Sequence, residues 1–296
     1  MVPFFIYYSM FGYQRVGDLV WAAADSRTRG FMLGGTAGRT TLNGEGLQHE
    51  DGHSHVLFSV VPSCRAYDPT FGYEVAVIIQ DGLRRMVAEQ EDVFYYITLL
   101  NENYQHPAMP DGAQEGILRG MYLLRPSSRD GGPRVQLLGS GAILYEVLAA
   151  AELLESDFGV AADVWSATSF TELRRDGIEI ERWNMLHPLE EPKRAYVTGQ
   201  LEGRDGPVIA STDYIRTFAD QIRQWVPGRY RVLGTDGFGR SDFRRGLRRF
   251  FEVDRHYVAV AALKELADDG TIEPQRVVDA IERYEIDADA PMPTTV

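Results

Sequence analysis

Apolar positions recur in two rhythms along this chain, and one long stretch has neither. Short runs rich in aromatic and β-branched residues, bounded by breakers, read as strands. They lie at Phe4 to Ser9, Phe31 to Leu33, Ser63 to Tyr67, Val93 to Leu99, Arg134 to Leu138, Asp163 to Ser166, Val208 to Ser211 and Tyr230 to Leu233. Helical spacing appears between them. Phe11 to Asp25 puts Val16, Leu19, Val20 and Ala23 on one stripe, and Asp68-Pro69 opens a helix whose apolar face includes Val75, Ile78, Ile79, Leu83 and Met86. Asp68 has the form of an N-cap, with proline at the first helical position. Further helices are predicted at Ala142 to Ser156, Asp213 to Trp225, Asp254 to Asp268 and Pro274 to Tyr284, the last with Val277, Val278, Ile281 and Tyr284 inward.

The order of these elements fixes the fold class. Strand, glycine turn at Gly139-Ser140-Gly141, helix and strand make a parallel βαβ unit, and residues 208–233 repeat it. Asn101 to Gly112 carries two prolines and no period, which predicts a boundary near Pro110. Two α/β domains are therefore expected, 1–109 and 110–296, each with a largely parallel sheet. The first strand is expected to be buried. A chain opening directly on a core strand implies that something upstream, or another subunit, completes the sheet.

The stretch without a rhythm runs from Gly34 to His55, GGTAGRTTLNGEGLQHEDGHSH. Its glycines permit backbone turns that side chains would block, and it crowds Glu45, His49, Glu50, Asp51, His53 and His55 together. Long loops inside ordered domains are functional when they are not disordered, and apolar segments flank this one on both sides. It follows a strand of a parallel sheet, where ligands bind. His49, His53 and His55 suit a zinc site by residue type, but Gly52 inside the pair speaks against a helical chelate. Glu45 and His49 could instead serve as acid and base, since histidine titrates near neutrality. The histidines and Asp51 could also simply hydrogen-bond the loop into shape. Tyr7, Tyr8 and Phe11, at the end of the first strand, suit either a core or a cofactor contact.

Other glycine clusters carry less. Gly139-Ser140-Gly141 fails as a dinucleotide fingerprint because Leu144 stands where the third glycine belongs, and Thr235 to Asp242 lacks a phosphate-loop lysine. Composition narrows the field further. Of 296 residues 44% are hydrophobic and 25% charged, as in a globular protein, and the formal net charge is −13. That charge opposes nucleic-acid binding. The run RRGLRR, Arg244 to Arg249, reads as the solvated face of a helix rather than an acidic partner's docking site. No apolar run spans a membrane. Cys64 stands alone, which excludes an internal disulfide; its apolar setting reads as core, and a cytoplasmic location is expected.

Longer motifs add a resemblance. IYYSMFGYQR, the glycine stretch, YYITLLNENYQHPAMP, TSFTELRRDG, ERWNMLHP and VLGTDGFGRSD, in this order, resemble the homodimeric type of pyruvate dehydrogenase. The likeness runs from near residue 1 to about Asp289. It implies the end of a transketolase-like aminopyrimidine-binding domain followed by a complete carboxy-terminal domain. It further implies thiamine diphosphate as cofactor, decarboxylation of pyruvate, and reductive acetylation of a lipoyl group on an acyltransferase component. By this resemblance Phe11 lies against the cofactor's aminopyrimidine ring. Tyr8 and His49 face the reacting carbon, Glu45 belongs to the same network, and His53 and His55 remain scaffold. The family's ring-activating glutamate and its GDG motif for diphosphate and magnesium precede the stretch represented here. The chain is thus expected to hold one wall of a site and to need an amino-terminal half or partner subunit. A non-catalytic assembly or regulatory module with the same fold is the alternative.

Overall fold

Every run of strand character forms a strand, and the strands sort into two sheets. The computed structural model describes residues 1–43 and 46–296. The first sheet contains β1 (Phe4–Tyr8), β2 (Phe31–Gly35), β3 (Cys64–Tyr67) and β4 (Phe94–Thr98), in the order β1-β2-β4-β3 and all parallel. Between them come α1 (Gly12–Asp25), α2 (Ser54–Phe58) and α3 (Gly72–Leu83). Side chains alternate across this sheet, as period-two geometry requires. Phe31, Leu33, Tyr95 and Ile97 pack with Ile78 of α3 on one face, while Cys64, Ala66, Phe94 and Tyr96 pack with Phe58 of α2 on the other. Cys64 is fully buried there, and burial pushes its thiol pKa upward.

After α4 (Ala113–Arg119) the second sheet takes β5 (Tyr122–Arg125) and β6 (Arg134–Gly139), then α5 (Leu144–Phe158) and β7 (Ala161–Ser166). Next come α6 (Phe170–Leu186), α7 (Tyr196–Leu201), β8 (Val208–Ser211), α8 (Thr217–Asp220) and β9 (Tyr230–Leu233). The order is β5-β7-β6-β8-β9, parallel except for β5. The tail forms α9 (Arg244–Phe250), α10 (Arg255–Asp268) and α11 (Gln275–Arg283). Val135 and Leu137 face α5 and α10, whereas Leu138 and Trp165 face α6 and α7. Asp254 caps α10, accepting from the amides of His256 and Tyr257. No helix among the described residues is long and apolar enough to cross a membrane.

Several expectations need correction. β1 is an edge strand, not a buried one: Phe5 is 56% and Ile6 66% exposed, because among the described residues β2 alone pairs with it. Leu19 likewise points outward; Val20 is the buried member of those four, and Val16, despite its non-helical backbone, packs half-buried against the same core. Asp68 does not cap α3. The helix begins at Gly72, and Glu74 accepts from the amides of Thr70 (2.6 Å) and Phe71 (3.0 Å) instead. The helix over 213–225 is broken into α8 and a 3-10 turn at Arg223–Trp225, with Asp213 and Tyr214 buried. Val278 is exposed. Finally, α9 is not a wholly solvated face, since Arg248 is buried against Glu146.

The carboxyl ends of the two sheets meet. Asp68 follows β3, and its amide bonds Thr168 O at 2.8 Å. Its carboxylate accepts from Thr98 Oγ1 (2.7 Å) at the end of β4 and Ser140 Oγ (2.8 Å) after β6. This junction places the glycine-rich loop over residues of the second sheet.

Candidate functional site

The loop leaves β2 at Gly34 and Gly35 and is gripped from below by Asp213, which follows β8. The buried Asp213 carboxylate accepts from Thr40 N (2.9 Å), Thr40 Oγ1 (2.7 Å) and Thr41 Oγ1 (2.7 Å), and its carbonyl from Arg39 N (3.1 Å). Gly38 makes the grip possible. It has φ +93°, and a Cβ there would stand 2.1 Å from Asp213 Oδ2. Gly52 is equally confined, with a Cβ position 1.9 Å from Arg39 Nη2.

Beyond Gly52, Asp51 turns the chain into α2. Its Oδ1 accepts from His53 N (3.0 Å) and Ser54 N (2.9 Å), and its Oδ2 from Ser54 Oγ (2.5 Å). That turn separates the three histidines. His55 goes inward, stacked 4.6 Å from Phe218 and bonded through Nε2 to Thr98 Oγ1 at 3.1 Å. Burial pushes its pKa down to about 3, so it is neutral. His53 meets Gln14, and burial lowers its pKa as well. Among the described residues no group of three His, Cys, Asp or Glu is placed to hold a metal.

His49 goes elsewhere. Its ring centroid lies 4.9 Å from that of Phe11 and 5.8 Å from that of Tyr8, edge-to-face in both cases. Tyr8 and Phe11 are themselves 6.0 Å apart at 67°. Two come from the end of β1 and its following turn, the third from the loop, yet all three share one partly exposed cluster. The Arg15 guanidinium sits 3.9 Å from the Phe11 centroid. The structure therefore brings together Tyr8, Phe11 and His49; Glu45 lies outside the described residues. Chemically, the cluster offers an aromatic face next to a phenol and an imidazole, the groups needed to cover a flat ring and move a proton beside it.

Three carboxylates that the sequence did not single out as site groups underlie this arrangement. Glu50 is fully buried, accepts from Arg240 N at 2.7 Å, and is pushed up to about pKa 7 by burial, against the pull of that amide and of Arg39. It ties the loop to the TDGFGRSD segment, whose Gly239 leaves only 2.7 Å between a Cβ and Glu50 Oε2. Asp213 is also raised by burial. Asp68 is pushed up to about 7, burial outweighing its hydroxyl donors.

The Asp68 shift has a measurable sign. A carboxyl group whose folded pKa exceeds its unfolded value holds its proton more tightly when folded, so its stabilising effect is lost as pH rises through about 7. Asp68→Asn cannot lose that proton. Its stability relative to the parent should therefore climb by about 1.4 kcal/mol per pH unit between roughly pH 4 and 7, then level off. His55 has the opposite sign, and with its Nε2 3.9 Å from Asp68 Oδ1 the comparison reads the proton balance of the two together. Urea unfolding from pH 5 to 8 checks this; a difference that stays constant over that range contradicts it.

Known proteins with similar sequence and fold are consistent in kind. Residues 1–107 match the family model described as the pyruvate dehydrogenase E1 component middle domain, and 120–254 match the transketolase-like TK C-terminal domain. The pyruvate dehydrogenase E1 component of Pseudomonas aeruginosa is 66% identical over 97% of this chain and 33% of its own length. That of Escherichia coli K12 is 61% identical over 98% of this chain and 32% of its own length. The chain thus spans about a third of the curated relatives it matches. Transketolase from Campylobacter jejuni shares the fold at TM-score 0.65 and 18% identity, covering 89% of this chain and 36% of that one. A structure described as a split gene transketolase, inactive beta4 tetramer, shares it at TM-score 0.63 and 15% identity, covering 90% and 77%.

Proposed function

Because the chain belongs to the pyruvate dehydrogenase E1 components, as a carboxy-terminal portion of one, we propose that it supplies one wall of a thiamine diphosphate site that decarboxylates pyruvate. The observation that carries this reading is the convergence of Tyr8, Phe11 and His49 on one partly exposed aromatic cluster. Those three rings fit one side of a heteroaromatic group. Bound there, the cofactor would supply the electron sink that lets carbon dioxide leave a 2-oxo acid. Phe11 covers the aminopyrimidine ring. Tyr8 and His49 bind the substrate's oxygen atoms and pass protons, with Glu45 assigned to the same network by resemblance alone. The diphosphate and its Mg2+ belong to the preceding portion of the protein.

On this reading residues 1–109 complete an aminopyrimidine-binding domain and 110–296 form the carboxy-terminal domain. The assembly is a cytoplasmic homodimer that hands an acetyl group to the lipoyl group of an acyltransferase component. The uncovered β1 edge, with Phe5 and Ile6 exposed, is where the preceding portion adds to the sheet.

Supplying the amino-terminal portion of a related E1 component in trans tests the activity. Thiamine-dependent release of carbon dioxide from pyruvate is expected from the mixture and from neither part alone. A stoichiometric complex inactive on every 2-oxo acid tried would overturn the reading in favour of a non-catalytic assembly module.

A further inference from the structure

Away from the aromatic cluster, α9 and the start of α10 enclose a cavity of about 550 Å³ whose wall reverses the charge of the rest of the chain. Arg244, Arg245, Arg248 and Arg255 line it, facing Glu102, Glu146 and Asp254, in a chain of net charge −13. An adjoining hollow of about 370 Å³ shares Arg245, Asp254 and His256 and adds Arg249, Arg283, Tyr284 and Glu285.

The carboxylates are already committed. Glu146 Oε2 accepts from Arg255 N (3.1 Å) and Nε (2.9 Å), and Oε1 from Arg248 Nη1 (3.3 Å) and Arg255 Nη2 (3.2 Å). Asp254 Oδ1 is consumed as the N-cap of α10, by His256 N (2.9 Å) and Tyr257 N (3.0 Å). Glu102 Oε2 forms ion pairs with Arg244, 3.0 Å from its Nε, and with Arg248, 3.6 Å from its Nη2. Each guanidinium carries five N–H donors in a planar fork, so donors outnumber acceptors inside the cavity. Among the described residues Arg245 forms no ion pair, and it is exposed at the cavity's edge.

We infer that this cavity is a binding site for a small polyanion carrying adjacent phosphate-like groups, whose oxygens use the arginine donors that Glu102, Glu146 and Asp254 leave open. Guanidinium forks match such oxygens two at a time, and the volume lies within the range of small-molecule sites. A concave, partly enclosed wall favours a small anion over an acidic protein face. The site touches the glycine-rich loop directly. Arg244 Nε donates to Thr41 O at 2.8 Å, Arg244 N to Asn43 Oδ1 at 3.2 Å, and Arg248 Nε approaches Thr40 Oγ1 at 3.4 Å. An anion there competes for the arginines that steady the loop above Asp213.

Titration calorimetry of this chain with inorganic pyrophosphate, at constant ionic strength, tests it. Saturable one-to-one binding is expected, weakened roughly tenfold or more by Arg245→Glu, less so by Arg245→Gln, and unchanged by Arg194→Glu on the far side of the fold. Orthophosphate should bind at least about tenfold more weakly. Circular dichroism of each variant confirms that it is folded. Absence of saturable binding, or equal binding by parent and Arg245→Glu, overturns the inference. So does preference for a polyglutamate peptide over pyrophosphate, which would make the wall a docking face for an acidic segment.

Discussion

His49→Ala, in the assembly proposed to form with an amino-terminal portion, is expected to lower the proposed kcat/KM for pyruvate by about a hundredfold or more, on the order of 3 kcal/mol of lost transition-state stabilisation. The imidazole is placed 4.9 Å from the Phe11 ring and 5.8 Å from Tyr8, so whatever lies against those rings also lies against His49. Its removal should leave the fold intact. The turn around it is made by backbone: the amides of His49 and Glu50 both reach Gly46 O, at 3.2 and 3.3 Å. The fall in rate should therefore come with a thermal midpoint within about 2 °C of the parent. Carbon dioxide release and a melting curve on the same sample separate the two. A rate within threefold of the parent would remove His49 from the proposed proton transfers.

The second large effect is on stability, and it originates in the other half of the chain. Asp213→Ala is expected to cost about 3 kcal/mol, because it leaves two threonine hydroxyls and one amide beneath the loop without their acceptor. It also strips a carboxylate from the surroundings of the buried Arg39 and Arg248. The raised pKa of Asp213 shows that burial taxes its charge, which limits the net gain from the carboxylate itself. The penalty of Asp213→Ala is therefore chiefly that of stranded donors. Asp213→Asn keeps one acceptor oxygen and should cost nearer 1 kcal/mol. Urea unfolding of both variants checks the ranking; an alanine variant within about 0.5 kcal/mol of the parent would show that the loop does not depend on this grip.

Eight of the nine strands were legible because each is a short apolar run between breakers; β5, Tyr122–Arg125, was not read from the sequence. What local pattern does not carry is which strand ends up at an edge. β1 reads as buried from FFIYY, and only the sheet order leaves it uncovered. The helix starts misread for a related reason. Asp68-Pro69 reads as a cap and Asp213 as the start of a helix, but both carboxylates are taken by hydroxyls from distant parts of the chain, Thr98 and Ser140 for one, Thr40 and Thr41 for the other. No spacing rule reports such partners. In the loop, composition marked a candidate functional stretch without saying which histidine faces outward. That is decided by Asp51, whose bonds to Ser54 start α2 and send His55 into the core. The grouping of Tyr8, Phe11 and His49 came from resemblance to a family, not from their separation of about forty residues.

Equilibrium dialysis of labelled thiamine diphosphate with Mg2+ against this chain, the amino-terminal portion, and an equimolar mixture tests the shared-site idea most directly. Retention is expected in the mixture, well above the sum of the separate parts, and lost when this chain carries Phe11→Ala. A mixture that retains no more cofactor than its separate parts, or one indifferent to Phe11→Ala, would contradict it.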